Sequence, residues 1–238
     1  MTSKAEFKII PELTKKLERW PIEQILIWVC HTFGSDVVAT SSFQSQSLPL
    51  LHMISKYCPE LPVLFIDTGY HFPETLAYRN ILEQSLDLNI ITIESTISRQ
   101  EFEVQHGKLY QVAPDFCCHE RKVIPLNNAL KGYKAWISGI RHDQTELRNN
   151  SSIIEHQGSI IKINPMINWT QAQVDQYIDD HNLPRHPLEA QGYKSISCYP
   201  CTQTVYDSQS IRTGRWVDHS KTECGIHSFP MSTSIEFS

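Results

Sequence analysis

Phe116-Cys117-Cys118-His119-Glu120-Arg121-Lys122 sets two adjacent cysteines directly ahead of two basic residues. Neighbouring Cα atoms lie about 3.8 Å apart, below the usual range for a disulfide, so these thiols suit a soft ligand better than a bridge to each other. A second pair stands in Ser197-Cys198-Tyr199-Pro200-Cys201, a C-x-x-C loop. Four thiolates converging on one point bind zinc or an iron–sulfur cluster. Consecutive helical positions point roughly 100° apart. Cys117 and Cys118 can share a centre only if it has several atoms or the turn is distorted, which favours a cluster over a single zinc ion. Arg121 and Lys122 add positive charge, so an anion beside a metal centre is the first chemistry implied.

Three further stretches carry chemistry. Ser41-Ser42-Phe43-Gln44-Ser45-Gln46-Ser47 follows a short apolar run at 36–40 and leads into a helical pattern at 48–57. A strand, a hydroxyl-rich loop and a helix N-terminus make an anion site from backbone N–H groups and the helix dipole. Arg141 and Arg148 leave the end of another apolar run, 134–139, and guanidinium pairs bidentately with phosphate or sulfate. After residue 202 the character changes: 211–216 is basic and glycine-hinged, and Lys221-Thr222-Glu223-Cys224-Gly225-Ile226-His227 holds a lone cysteine. A single thiol on a movable arm beside an anion pocket suggests attack on a bound electrophile. Lys122, Arg212 and Arg215 are placed to favour its thiolate.

The elements that must position these residues alternate. Strands at 36–40, 61–67, 89–94 and 134–139 are separated by helices, which implies an α/β fold with a doubly wound, mostly parallel sheet. Ligands in such sheets sit at the C-terminal strand ends, where the serine loop and the turn Asp67-Thr68-Gly69 both fall. Residues 1–33 read as helical, 95–115 as a connection with a short helix, and 153–163 as a hairpin turning at Gln157-Gly158. Thr170 and Gln173 form a capping box for a following helix. The division is one α/β domain over 1–205 and a mobile segment over 206–238 that carries Cys224 and buries no core of its own.

The 238 residues include seven cysteines and a formal net charge of −5. That charge argues against a nucleic-acid partner bound by a basic surface. No apolar run approaches the roughly 18 residues of a membrane span, and no basic-then-apolar leader opens the chain. Seven cysteines without such a leader predict a cytoplasmic, reducing location, with Cys30 a buried apolar filler. The sequence leaves open whether copies associate as a homo-oligomer.

Taken together, the serine loop at 41–47, Phe65-Ile66-Asp67-Thr68-Gly69-Tyr70-His71-Phe72, Cys117-Cys118, Gly139-Ile140-Arg141, residues 192–202 and the tail motif 221–227 resemble the assimilatory adenylyl-sulfate reductases, within the group that includes phosphoadenylyl-sulfate reductases. The resemblance runs from about residue 36 to 227. It implies a modified PP-loop fold of the adenine nucleotide alpha hydrolase-like type that binds adenosine 5′-phosphosulfate. It implies one 4Fe–4S cluster on Cys117, Cys118, Cys198 and Cys201. Cys224 would take the sulfonate and release AMP, and thioredoxin or glutaredoxin would free sulfite. Ser41, Ser42, Phe43, Ser45, Ser47, Asp67, Thr68, Gly139, Arg141, Arg148 and His227 would bind the nucleotide and phosphosulfate. Lys122, Arg212 and Arg215 would act in catalysis.

Two departures matter. ATP-using relatives carry S-G-G-x-D-S, whereas Phe43, Gln44 and Ser45 stand here, and no carboxylate is placed to bring magnesium to a pyrophosphate. That argues against a tRNA-thiolating ATPase. Ser197 stands before Cys198 where many relatives have glycine, which removes no ligand. A 3′-phosphorylated substrate is the nearer rival, and the complete four-cysteine set favours the simpler nucleotide.

Overall fold

The computed structural model describes residues 6–205 and 212–227, with side chains from residue 11 onward. Two helices open it, α1 (Glu6–Leu17) and α2 (Ile22–Phe33). Pro21, whose φ is fixed near the helical value, starts α2, and Ile22, Ile25, Leu26 and Val29 recur at helical spacing to form its buried face. Then come β1 (Val37–Thr40), α3 (Leu48–Tyr57), β2 (Val63–Asp67), α4 (Pro73–Leu86) and β3 (Ile90–Glu94). Helices α5 (Arg99–His106), α6 (Leu109–Val112), α7 (Pro114–Cys118) and α8 (Ile124–Ala129) follow. The chain continues through β4 (Ala135–Ser138), β5 (Ile154–Gln157), β6 (Ile160–Ile163) and α9 (Gln171–Asp180).

The six strands form one sheet in the order β3-β2-β1-β4-β6-β5. All neighbours are parallel except β5, which runs antiparallel to β6 at the edge. This is the doubly wound, mostly parallel sheet that the alternation implies. Strands β1 to β3 build outward on one side and β4 and β6 on the other. A crevice therefore opens at the C-terminal ends of β1 and β4, the topological switch point. Central strands β1 and β4 are apolar along their length (Val-Val-Ala, Ala-Trp-Ile), because both faces are covered. The main core packs α2, α3 and α9 against one face, and a smaller core around Trp136, Leu126 and Leu130 seats α8 on the other.

Three readings change. Residues 95–115 are mostly helical rather than an open connection. Ser98 caps α5: Glu101 N–H donates to Ser98 Oγ at 3.1 Å, and Ser98 N–H donates back to Glu101 Oε2 at 2.9 Å. The S-x-x-E signal stands in the sequence. Cys30 is not a lone filler. It is bonded to Cys58, 28 residues on, because the C-terminal ends of α2 and α3 pack with their Cα atoms 6.4 Å apart. Finally, part of the tail does bury apolar surface, since Trp216 is only 3% exposed. Residues 206–211 and 228–238 of the segment expected to be mobile lie outside the described residues. No helix among the described residues is long and apolar enough to cross a membrane.

His186 gives the fold a testable pH dependence. It is buried; Leu188 N–H donates to its Nδ1 at 3.2 Å, so its own proton sits on Nε2 and is donated to Thr75 Oγ1 at 3.0 Å. Burial pushes its pKa down to about 4. A lowered basic pKa means the unfolded chain binds the proton more readily, so the stabilisation is full above about 6.5 and is lost as pH falls toward 4. The stability difference between wild type and His186→Asn should shrink by about 2 kcal/mol from pH 7 to pH 5 in urea unfolding. A pH-independent difference would exclude this origin.

Candidate active site

The C-x-x-C loop is held by the turn after β2. Asp67 Oδ1 accepts from Gly69 N–H at 2.8 Å, which closes the turn. His71 pairs with Cys198 as a two-residue bridge, Tyr199 N–H donates to Tyr70 O at 2.8 Å, and Thr68 Oγ1 lies 3.3 Å from Cys198 Sγ. Arg121 ties the same turn to the segment just before α5 by donating to the carbonyls of Thr68 and Ile97. Cys117 and Cys118 end α7, and a wide π-helical turn, His119–Val123, carries the chain into α8. The distorted turn begins one residue past the pair; Cys118 itself keeps regular helical backbone angles.

All four cysteines line one small cavity with Tyr70, Arg121, Lys122 and Trp216. Among the described residues, no group of three His, Cys, Asp or Glu side chains is arranged to hold a metal ion. Burial, with the other sulfurs, pushes the Cys117 thiol up to about 12. Burial also raises Cys118 to about 12, against the pull of Lys122. Burial raises Cys198 too, but Lys122, Thr68 and Arg215 outweigh it and leave that thiol below its ordinary value. A set of four soft donors around one cavity, with lysine and arginine to balance thiolate charge, fits an iron–sulfur cluster by chemistry.

Lys122 lines both this cavity and the larger crevice. It is buried, and its Nζ donates to Ser197 Oγ at 2.9 Å. Burial works against its charge, but Cys198, Cys118 and Cys224 outweigh that and raise its pKa. The crevice brings together Ser41, Ser42, Ser47, Thr68, Gly139, Lys122, Arg148, Arg212, Arg215, Cys224 and His227 of the expected set. A Cβ on Gly139 would sit 3.1 Å from Leu50 Cδ2, a tight contact that the Leu50 side chain would have to relieve.

The tail closes over the crevice. Thr202 and Arg215 pair as a bridge, Gln203 N–H donates to Gly214 O at 2.8 Å, and a Cβ on Gly214 would collide with the Gln203 carbonyl oxygen. Lys221 pairs with Asp115 on α7. Ile226 packs on the smaller core, and His227 stacks on Trp136 with ring centroids 5.6 Å apart. Burial and then Arg148, Lys162 and Arg212 keep His227 neutral by lowering its pKa. His71 Nδ1, Arg212 Nε, Trp216 Nε1 and His227 Nδ1 are buried without a hydrogen-bond partner. These four residues all line the crevice.

Four expected contacts are placed elsewhere. The Phe43 side chain turns into the core, stacking edge-on against Phe65 at 5.5 Å, with a backbone φ of 52° that reverses the loop. Ser45 Oγ accepts from His186 N–H at 2.8 Å and braces the serine loop from behind. Asp67 is used in its own turn, as above. Arg141 is wholly buried and does not line the crevice, donating from Nε to Asp143 Oδ1 and from Nη2 to Gln171 Oε1, both at 2.9 Å, while its Nη1 has no partner.

Other crevice residues were not foreseen. His71 Nε2–H donates to Ile66 O at 2.8 Å, which leaves Nδ1 of the neutral ring as a buried acceptor. Burial, reinforced by Lys122, lowers its pKa. Gln44 Oε1 accepts from Ile196 N–H at 2.7 Å and so joins the serine loop to the approach of the C-x-x-C loop. Glu223 sits among the arginines. Its position one residue before Cys224 was the available signal; a lone glutamate in a polar tail offers no pattern beyond that.

Residues 36–204 match the model of the phosphoadenosine phosphosulfate reductase domain. The chain is 39% identical over 227 residues to the adenosine 5′-phosphosulfate reductase of Streptomyces coelicolor, covering 93% of this chain and 95% of that one. It is 40% identical over 210 residues to the enzyme of that name from Salinibacter ruber, covering 87% and 83%. The phosphoadenylyl-sulfate reductase of Candida auris, solved with phosphate, superposes with a TM-score of 0.74 at 32% identity over 86% of this chain and 98% of that one. The FMN adenylyltransferase of Candida glabrata shares the fold alone, with a TM-score of 0.56 at 14% identity over 84% of this chain and 73% of that one. The sheet is thus of the adenine nucleotide alpha hydrolase-like type, and the chain belongs to the phosphoadenosine phosphosulfate reductase family.

Proposed function

We infer that this chain is an oxidoreductase of sulfate assimilation that reduces adenosine 5′-phosphosulfate to sulfite and AMP. The observation that carries the reading is the meeting of Cys224 with Lys122, Arg212 and Arg215 in one crevice at the switch point of a nucleotide-binding sheet. The Cys224 thiolate attacks the sulfate sulfur, the bond from that sulfur to the bridging oxygen breaks, and AMP departs with the electron pair. The sulfonate stays on Cys224. One thiolate of a dithiol protein of the thioredoxin or glutaredoxin type then attacks Cys224 Sγ and expels sulfite, leaving a mixed disulfide; its second thiol breaks that bond, returning the Cys224 thiol and leaving the dithiol protein as a disulfide. The dithiol thus supplies the two electrons that take sulfur from sulfate to sulfite.

The chemistry needs cations because nucleophile and substrate are both negative. Lys122, Arg212 and Arg215 screen that repulsion and stabilise charge on the departing phosphate, already oriented by the fold. The unpartnered Arg212 Nε and His227 Nδ1 are available to the substrate. The hydroxyls of Ser41, Ser42, Ser47 and Thr68 line the nucleotide side, and Gly139 allows close approach. Cys117, Cys118, Cys198 and Cys201 would hold a 4Fe–4S cluster, whose chemistry here is electrostatic and structural, because Cys224 carries the covalent step. Anaerobically purified protein is expected to contain four irons and four labile sulfides per chain, lost in Cys198→Ser. Zinc in their place would reject the cluster.

The test of reaction type is direct. Protein incubated with adenosine 5′-phosphosulfate and no reductant should gain one sulfonate by intact mass, mapped to Cys224. Unmodified protein after nucleotide consumption would reject the mechanism. The Candida auris likeness makes the 3′-phosphorylated nucleotide the second reading. Side-by-side kinetics should favour the simpler nucleotide, and a strong opposite preference would reverse the assignment.

A further inference from the structure

Glu223 is an acidic residue in a crevice built for anions, and its carboxylate is fully engaged. Oε1 accepts from Arg148 Nε at 2.7 Å and from Thr145 Oγ1 at 2.8 Å, and Oε2 accepts from Arg148 Nη2 at 2.9 Å. The side chain is 8% exposed, and Arg212 Nη2 stands 3.5 Å from Oε2. A parallel fork of this kind is directional as well as strong. Arg148 is held from behind, since its Nη1 donates to Gln144 Oε1. Gln144 Oε1 also accepts from Arg141 N–H at 3.1 Å, and its Nε2 donates to Gln46 Oε1 at 3.0 Å. The loop after β4 is therefore a rigid socket, braced against the serine loop, and Glu223 is the plug.

We propose that Glu223 is the positioning residue of the nucleophile: locked into the Arg148–Thr145 socket, it sets where the adjacent Cys224 lies over the crevice. The proposal rests on the assignment of Cys224 as nucleophile and deepens it. Neighbouring Cα atoms are about 3.8 Å apart, so fixing the Glu223 side chain fixes the Cys224 backbone. On the other side, Gln157 Nε2 donates to Ile226 O at 3.3 Å and Ile226 packs on the smaller core. Upstream, Arg212 Nη2 donates to Thr222 O at 2.9 Å. Cys224 thus sits between pinned neighbours, and Glu223, directly beside it, is the pin held by an ion pair that is buried on both sides. Three of the five N–H groups of Arg148 are engaged by Glu223 and Gln144, so Arg148 is committed to holding the tail. Arg212, with its unpartnered Nε, Lys122 and Arg215 remain for the substrate.

Glu223→Gln tests this, because the amide keeps the size but sets an N–H donor against Arg148 Nη2. Three quantities are read on the full chain: the single-turnover rate of sulfonate formation, AMP affinity, and the rate of Cys224 alkylation without nucleotide, followed by peptide mass. The rate should fall about 100-fold, as a misplaced reacting atom does, with AMP affinity kept within about threefold. Alkylation of Cys224 should quicken about tenfold as the tail opens locally. Glu223→Asp, which keeps the charge, should recover part of the rate. If Glu223→Gln folds poorly, Thr145→Val should shift all three quantities the same way by a smaller factor. AMP affinity rising about tenfold with alkylation unchanged would overturn the proposal, since Glu223 would then be a competitor for the substrate site. No change in any of the three would overturn it equally. The alkylation readout needs no turnover, so it separates failure of the latch from failure of the sulfonate chemistry.

Discussion

Cys224→Ser is expected to lower sulfite production by more than about 10⁴-fold, the scale on which enzymes lose a covalent nucleophile. Nucleotide binding should survive. The substitution exchanges one atom and leaves Lys122, Arg212 and Arg215 in place around the crevice. No sulfonate should appear on the variant by intact mass, and AMP should bind with near wild-type affinity in calorimetry. Turnover close to wild type would remove the tail cysteine from the chemistry. Loss of AMP binding would instead mean that the residue shapes the pocket, and the covalent reading would lose its support.

The second large effect is expected at Lys122. Its ammonium is buried at the junction of the sulfur cavity and the crevice, and its charge is felt by Cys198, Cys118 and Cys224 together. Lys122→Met keeps a long flexible chain but removes the charge. Sulfonate formation should slow by about 10²–10³-fold, the usual cost of losing one pre-oriented electrostatic group at a developing anion. Release of sulfite from pre-formed sulfonate should change little, because that step requires no charge on departing AMP. Quenched single-turnover mixing separates the two steps. Sulfonate formation within about threefold of wild type would show that Arg212 and Arg215 suffice.

Read from residues alone, the site was clearest where chemistry and spacing coincide. The two cysteine pairs line one cavity, and the lone tail cysteine faces the crevice with Lys122. Helix ends with local signals were equally readable: Thr170 and Gln173 form the capping box expected of them. The box at Ser98 carries the same signal, in a stretch whose residues alone read as a connection with a short helix. The arginines show the limit. Arg141 and Arg148 leave the same strand in the same loop and looked equivalent. One is wholly buried on Asp143 and Gln171, and the other grips Glu223 from the distant tail.

The sequence by itself determined the alternation of strands and helices, and hence the parallel sheet and the end of it at which ligands sit, because strand and helix periods are local properties of the chain. It also determined which residue types were available for sulfur and anion chemistry. Tertiary structure decided which of them face the crevice. A single positive φ at Phe43 turns that side chain into the core, and a carboxylate from residue 223 captures a guanidinium from residue 148. Side-chain direction in loops depends on backbone angles and on partners tens of residues away. No period in the chain encodes either, so the part of the crevice wall that carries Cys224 exists only once the tail has folded back onto the sheet.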